Sequence, residues 1–195
     1  MTTRRVLAFP RGINVGGNNT VPMPALRAAL AAAGFGNPAT VLNSGNVAVT
    51  TGLPLAEARA AIERVLGEEF EAAVQVLVFE ADDVRATIAG YPWDRTDVSL
   101  QHYAVLMDDL DLAAELLAAV HADPGVEALA PAPIGLYHRV VKGFTTTGAV
   151  AKQLSAARFR KHNSVRAIGT LERLLDASGR AARTSLSGRR GRVTA

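Results

Sequence analysis

The sequence contains no cysteine. That excludes disulfides, thiolate zinc sites, iron–sulfur clusters and a cysteine nucleophile. Aromatic residues make up only 5% of the chain, so stacking platforms for nucleic-acid bases are scarce. No run approaches the ~18 apolar residues that a membrane-spanning helix requires. The apolar stretch after Met1–Arg5 is too short for a signal peptide. The expected location is therefore the cytoplasm, with no membrane partner.

Other chemistry is missing as well. His102, His121, His138 and His162 show neither metal-ligand spacing nor local carboxylate pairing, and they read as satisfied or exposed histidines. Asp108-Asp109-x-Asp111 lacks the glycine and distal glutamate of a calcium loop and reads as the acidic cap of a helix. No serine sits in a Gly-x-Ser-x-Gly elbow. No catalytic residue, metal site or cofactor motif is assigned, and whether the protein is an enzyme stays open at this point.

What is present describes a globular chain. Its 195 residues are 49% apolar and 20% charged, enough for one large domain or two small ones. Much of the apolar content is alanine, so few large side chains fill the core. The net charge of +3 hides an asymmetry. From Arg158 to the end stand ten Lys/Arg and two acidic residues, a balance of +8; the remainder holds eleven basic and sixteen acidic, a balance of −5.

Hydrophobic periodicity gives the element order. Val6–Phe9 reads as a buried strand closed by Pro10. A helix follows Pro22-Met23-Pro24, with Leu26, Ala29, Leu30 and Ala33 on one face and Gly34 at its end. Ala39–Leu42 and Val47–Thr50 are strands joined by the tight turn Asn43-Ser44-Gly45-Asn46. Leu55–Phe70 is an amphipathic helix, and Val74–Phe79 is the fourth strand. This β-α-β-β-α-β order is the ferredoxin-like unit.

After a short helix at Ala81–Ala89 the pattern restarts. A strand is expected at Gln101–Met107, a helix at Leu110–His121, and strands at Val126–Leu129 and Ile134–Val141 with Pro131-Ala132-Pro133 as their turn. A helix is expected from Gly148 to Lys161. Val165–Leu175 reads as helical where a fourth strand is due. The fold class is thus α+β: a ferredoxin-like half over 1–90, a second, degenerate ferredoxin-like half with C-terminal helices over 91–179, and a basic, flexible tail over 180–195.

The densest feature lies between the first strand and first helix. Arg11-Gly12-Ile13-Asn14-Val15-Gly16-Gly17-Asn18-Asn19 holds three glycines and three asparagines. Gly12 and Gly17 have P-loop spacing, but Asn18-Asn19 replaces the Lys-Ser/Thr that contacts phosphate and magnesium, so a P-loop is rejected. In a ferredoxin-like sheet the third strand lies beside the first, which puts Ser44-Gly45-Asn46 next to this loop. Two Gly/Asn-rich segments then share one edge.

Two readings of that edge remain open. The loop's N–H groups with Arg11 cradle an anion, or the asparagines bond the loop's own backbone in a compact Ω-like turn.

The N-terminal blocks Arg11–Gly17, Gly34-Phe35 and Ser44–Val47 resemble the DUF1697 family of uncharacterised bacterial proteins. Weaker likenesses follow at Tyr91-Pro92-Trp93, at Gly143 with Ala151–Leu154, and at Arg166–Leu171. The resemblance implies two ferredoxin-like halves. The sequence departs from it at Asn18, where lysine is usual, and at Ala167 and Ile168, where asparagine and tryptophan are usual.

The leading functional reading is binding of a small anionic or phosphorylated ligand. Its candidate residues are Arg11, Gly12, Asn14, Gly16, Gly17, Asn18, Asn19, Ser44, Gly45 and Asn46, joined by Arg139, Lys152 and Arg166 if the halves pack against each other. One alternative is nucleic-acid binding through Arg158, Arg160, Lys161, Arg166, Arg173, Arg180, Arg183, Arg189, Arg190 and Arg192. The other is a weak acylphosphatase-like hydrolase, by analogy of fold, using Arg11 with Asn43 or Asn46.

Overall fold

The computed structural model describes residues 3–16 and 19–189, with side chains described as far as residue 179. Gly17, Asn18 and Arg190–Ala195 lie outside the described residues, so the expectations placed on Gly17, Asn18, Arg190 and Arg192 do too. The chain divides into two units: Asp82–Leu171 form one, and the chain before it, with the segment from Glu172 on, forms the other.

In the first unit β1 (Arg4–Pro10), β2 (Gly36–Val41), β3 (Asn46–Thr51) and β4 (Val76–Glu80) form one sheet in the order β2-β3-β1-β4. Every neighbouring pair is antiparallel. The crossovers are α1 (Met23–Ala32) and α2 (Leu55–Phe70). The ferredoxin-like order is therefore realised, with β3 beside β1.

The helices close as their residues allow. After α1 the chain turns at Gly34, whose φ of +89° is costly for a residue with a Cβ. Period-two alternation sends Val6, Ala8, Val47 and Val49 to the helical face, where they join Leu26, Leu30, Ile62 and Leu66 in one apolar core. Each such aliphatic chain withdrawn from water contributes about 1.5–3 kcal/mol. Leu7 and Phe9, on the other face opposite Phe79 and Leu77 respectively, are buried as well.

The second unit repeats the scheme. It opens with α3 (Ala81–Ala89), whose first residue belongs to the other unit. Its sheet consists of β5 (Leu100–Met107), β6 (Glu127–Ala132), β7 (Gly135–Val141) and β8 (Asn163–Ala167). The order, β6-β7-β5-β8, is the same as in the first sheet. The helices between its strands are α4 (Leu110–Ala119) and α5 (Ala149–Ser155). Val105, Met107, Leu116, Leu136, Val150, Leu154 and Phe159 make its core.

Three expectations change in this half. A fourth strand exists: β8 pairs with β5 from Tyr103↔Ala167 to Met107↔Asn163, where the sequence suggested helix from Val165. The apolar spacing of Val165, Ile168 and Leu171 is shared between a strand end and a helix start, which periodicity cannot separate. The turn between β6 and β7 is Pro133-Ile134, because Pro131 and Ala132 pair with Leu136 and Gly135. The helix expected over 148–161 stops at Ser155.

The last helix, α6 (Ile168–Arg189), begins directly after β8. Where the sequence analysis expected a tail from 180, the backbone is helical to Arg189. Among the described residues no helix is long and apolar enough to cross a membrane.

Candidate functional site

The loop after β1 is built on backbone conformations that few residues accept. Gly12, Asn14 and Gly16 have φ values of +71°, +54° and +63°, and Asn19 has +50°. Glycine takes such values without steric cost and asparagine with little. Positive φ therefore recurs at alternate positions 12, 14 and 16. A Cβ on Gly12 or on Gly16 would meet nothing within 4 Å, so these two residues face open space.

The asparagines hold this shape. Asn14 Nδ2 donates to Val21 O at 2.9 Å and to Asn43 O at 2.7 Å, while its Oδ1 accepts from Val21 N at 2.8 Å. Its own N–H donates to Asn19 O at 3.1 Å, and Asn19 Nδ2 donates back to Gly12 O at 3.2 Å. Both side chains are thus turned onto backbone. At the loop's root, Arg11 N donates to Gln75 O at 3.0 Å, and the Arg11 side chain is half-buried.

The β2–β3 turn meets the loop directly. The Asn14–Asn43 bond crosses between them, and buried Gly45 packs on Ile13. Leu42 opens this turn at a φ of +59° instead of closing β2. Asn46 is fully buried; its amide donates to Val41 O at 2.9 Å and to Ser44 Oγ at 3.3 Å. Ser44 is exposed. Val15, 62% exposed, and Leu42, 49% exposed, flank the bond between Asn14 and Asn43.

The remaining candidates are in the second unit. Arg139 on β7 lies opposite His102 on β5 and places its guanidinium 5.3 Å from the Trp93 ring centroid. Lys152 is exposed in the last turn of α5. Arg166 on β8 donates from one guanidinium nitrogen to Val165 O at 2.9 Å. Of the basic C-terminal residues, exposed Arg158 is held by Glu115 through two nitrogens, which raises its pKa further.

Residues that the sequence left as ordinary histidines occupy distinct settings. His138 is buried with Glu127, Nε2 to Oε2 at 3.1 Å. Burial lowers its pKa below the ordinary histidine value, and the Glu127 bond opposes that without cancelling it. Glu127 Oε1 also accepts from Ala149 N at 2.6 Å and Val150 N at 3.3 Å, capping α5 from another strand. His162 Nδ1 meets Asp108 at 3.0 Å. Asp109 is the side-chain cap of α4, accepting from Asp111 N at 2.9 Å and Leu112 N at 3.0 Å.

Tyr91 is the other residue that spacing did not single out. Its ring lies edge-on to Trp93, His102 and Tyr137, with centroids 5.5, 5.6 and 5.4 Å away. Its hydroxyl is 2.8 Å from His102 Nδ1, and burial pushes its pKa up to about 12. The aromatic break at Tyr91-Pro92-Trp93 was the only sequence signal for this cluster.

The family model described as a protein of unknown function, DUF1697, matches residues 3–137. Among solved structures, the conserved bacterial protein SP0830 from Streptococcus pneumoniae is similar in fold, with a TM-score of 0.75 and 22% sequence identity. The likeness covers 91% of this chain and 99% of that one. No curated protein matches the chain.

Proposed function

The chain belongs to the DUF1697 family, and we propose that it binds a small anionic or phosphorylated ligand where the Arg11–Asn19 loop meets the β2–β3 turn. One observation carries this reading: the alternation of positive φ at Gly12, Asn14 and Gly16 over open space. Left-handed residues interleaved in a loop turn successive N–H groups toward one side and form an anion-binding concavity. Arg11, at the root of the same loop, supplies a positive charge that strengthens such bonds.

The roles within this reading divide by geometry. Gly12, Gly16, Ser44 and Arg11 meet the ligand. Asn14, Asn19, Gly45 and Asn46 hold the loop and turn in shape, since their amides bond backbone or, at Gly45, the space is taken by Ile13. Exposed Val15 and Leu42 give the same edge an apolar contact for the ligand's body.

The arrangement favours binding over hydrolysis. An acylphosphatase-like reaction needs an asparagine amide facing a water, and the Asn46 amide is buried within its own hairpin. The test is a thermal-shift series with inorganic phosphate, pyrophosphate and nucleotides. A saturable rise in Tm with at least one of them, lost in Arg11→Ala at unchanged circular dichroism, supports the reading. If no anion raises the Tm of the unmutated protein, it fails.

A further inference from the structure

β5 is covered unequally by its two neighbours. It pairs with β7 from Leu100 to Leu106, but with β8 only from Tyr103 to Met107. β8 ends at Ala167, and the chain turns into α6 at Ile168. Over Leu100–His102 the β8 side of β5 therefore has no strand beside it. A cavity of about 290 Å³ occupies this place, lined by Arg95, Leu100, His102, Tyr103, Ile168 and Gly169 among others.

The His102 ring is fixed at that cavity. Its Nδ1 is 2.8 Å from the Tyr91 hydroxyl, and Tyr91 is wedged edge-on among Trp93 and Tyr137. Its other nitrogen, Nε2, is buried from water and has no hydrogen-bond partner among the described residues. Buried imidazole nitrogens are ordinarily bonded, so an unmet one beside a cavity marks a position for a ligand atom.

The charge around the ring defines that atom. The phenol of Tyr91 stays protonated and donates to Nδ1, which leaves the imidazole proton on Nε2 as a donor. Arg95 lines the cavity and Arg139 lies across from His102 on β7; both hold the ring neutral, as burial does, against the weaker pull of Asp94 and Asp97. The first turn of α6 carries no acidic residue. A neutral N–H donor beside positive charge calls for an acceptor with negative charge.

We propose that this cavity is a second ligand site, independent of the first-unit loop, that takes a carboxylate or phosphate group on a compact apolar body, with His102 Nε2–H donating to it and Arg95 balancing its charge. Leu100 and Ile168 supply the apolar wall. The volume admits a small organic acid or phosphomonoester and not a dinucleotide, since sites for drug-sized ligands begin near ~300 Å³. Tyr91 is a positioning residue here: it fixes the ring and its tautomer.

The test follows the imidazole nitrogens of the full chain by proton–nitrogen NMR while sodium acetate, inorganic phosphate or sodium chloride is added at matched ionic strength. A saturable shift of the His102 Nε2 resonance with acetate, phosphate or both, absent with chloride, supports the site, and the better of the two names the group. The shift should persist in Arg11→Ala, should weaken at least tenfold in apparent Kd in Arg95→Gln, and in Tyr91→Phe should give way to mixed tautomers. No shift with either anion, an equal shift with chloride, or loss of the shift in Arg11→Ala overturns the proposal. Retention in Arg11→Ala, with no thermal effect of that substitution, separates this site from the loop.

Discussion

Gly45 leaves no room for a side chain beside Ile13. A Cβ at Gly45 would stand 2.4 Å from Ile13 Cδ1, and the φ of +74° independently disfavours one. Gly12, in the facing loop, has nearly the same φ of +71° but nothing within 4 Å of the same added atom. The two glycines therefore isolate two costs: conformation alone at Gly12, conformation plus overlap at Gly45.

Gly12→Ala is expected to cost about 1 kcal/mol, the penalty for a left-handed residue with a Cβ. Gly45→Ala should cost about 1–3 kcal/mol more, because Ile13 must be displaced from a packed position. Urea unfolding of the two variants at equal protein concentration checks this. Equal losses would show that the turn and loop yield to each other freely.

Asn14 makes three side-chain bonds and adopts a left-handed conformation. Asn14→Ala should cost about 2–4 kcal/mol, since each bond contributes about 0.5–1.5 kcal/mol. Asn14→Asp retains the acceptor for Val21 N but loses both donors. Hydrogen exchange at the Val21 amide should accelerate strongly in the alanine variant and much less in the aspartate variant. Equal rates in both would mean that Asn14 does not hold the loop.

Glu127 satisfies two amides of α5 and a histidine, all away from solvent, whereas Asp109 caps α4 at the surface. Asp109→Ala should cost about 1 kcal/mol, the usual value of an exposed cap. Glu127→Ala should cost about 3–5 kcal/mol, because it leaves buried polar partners unmet. Thermal unfolding of each variant gives the comparison, and a smaller loss for Glu127→Ala would overturn its assignment as a buried cap.

The buried histidines set a pH dependence. His138 and His102 both have folded-state pKa values below the ordinary 6.5. Between that value and their lowered ones the unfolded chain binds more protons, so stability is full above pH 6.5 and falls as pH drops below it. The urea midpoint should be flat from pH 8 to 7 and decline from 6.5 toward 5. His138→Gln keeps a donor for Glu127 and should lessen that decline. A midpoint that rises on acidification through this window would reverse the sign.

The alternation of apolar residues and the positions of Gly34, Pro10 and the Gly/Asn clusters were enough to read the first half as β-α-β-β-α-β, because each element there carries its own period and its own stop. The second half was legible only to α5. β8 is five residues long and runs straight into α6, so no turn residue marks the change from one period to the other.

The candidate site divides in the same way. Sequence sufficed to bring the loop and the β2–β3 turn to one edge, since strand order alone makes them neighbours. It could not say which asparagines face outward, because an amide serves a ligand or its own backbone equally well, and only the positions of Val21, Asn43 and Val41 decided this for Asn14 and Asn46. Nor could it single out His102. A histidine on a strand carries no spacing signal; its standing comes from a cavity left where β8 stops short, a tyrosine eleven residues away that holds one ring nitrogen, and a second nitrogen left without a partner.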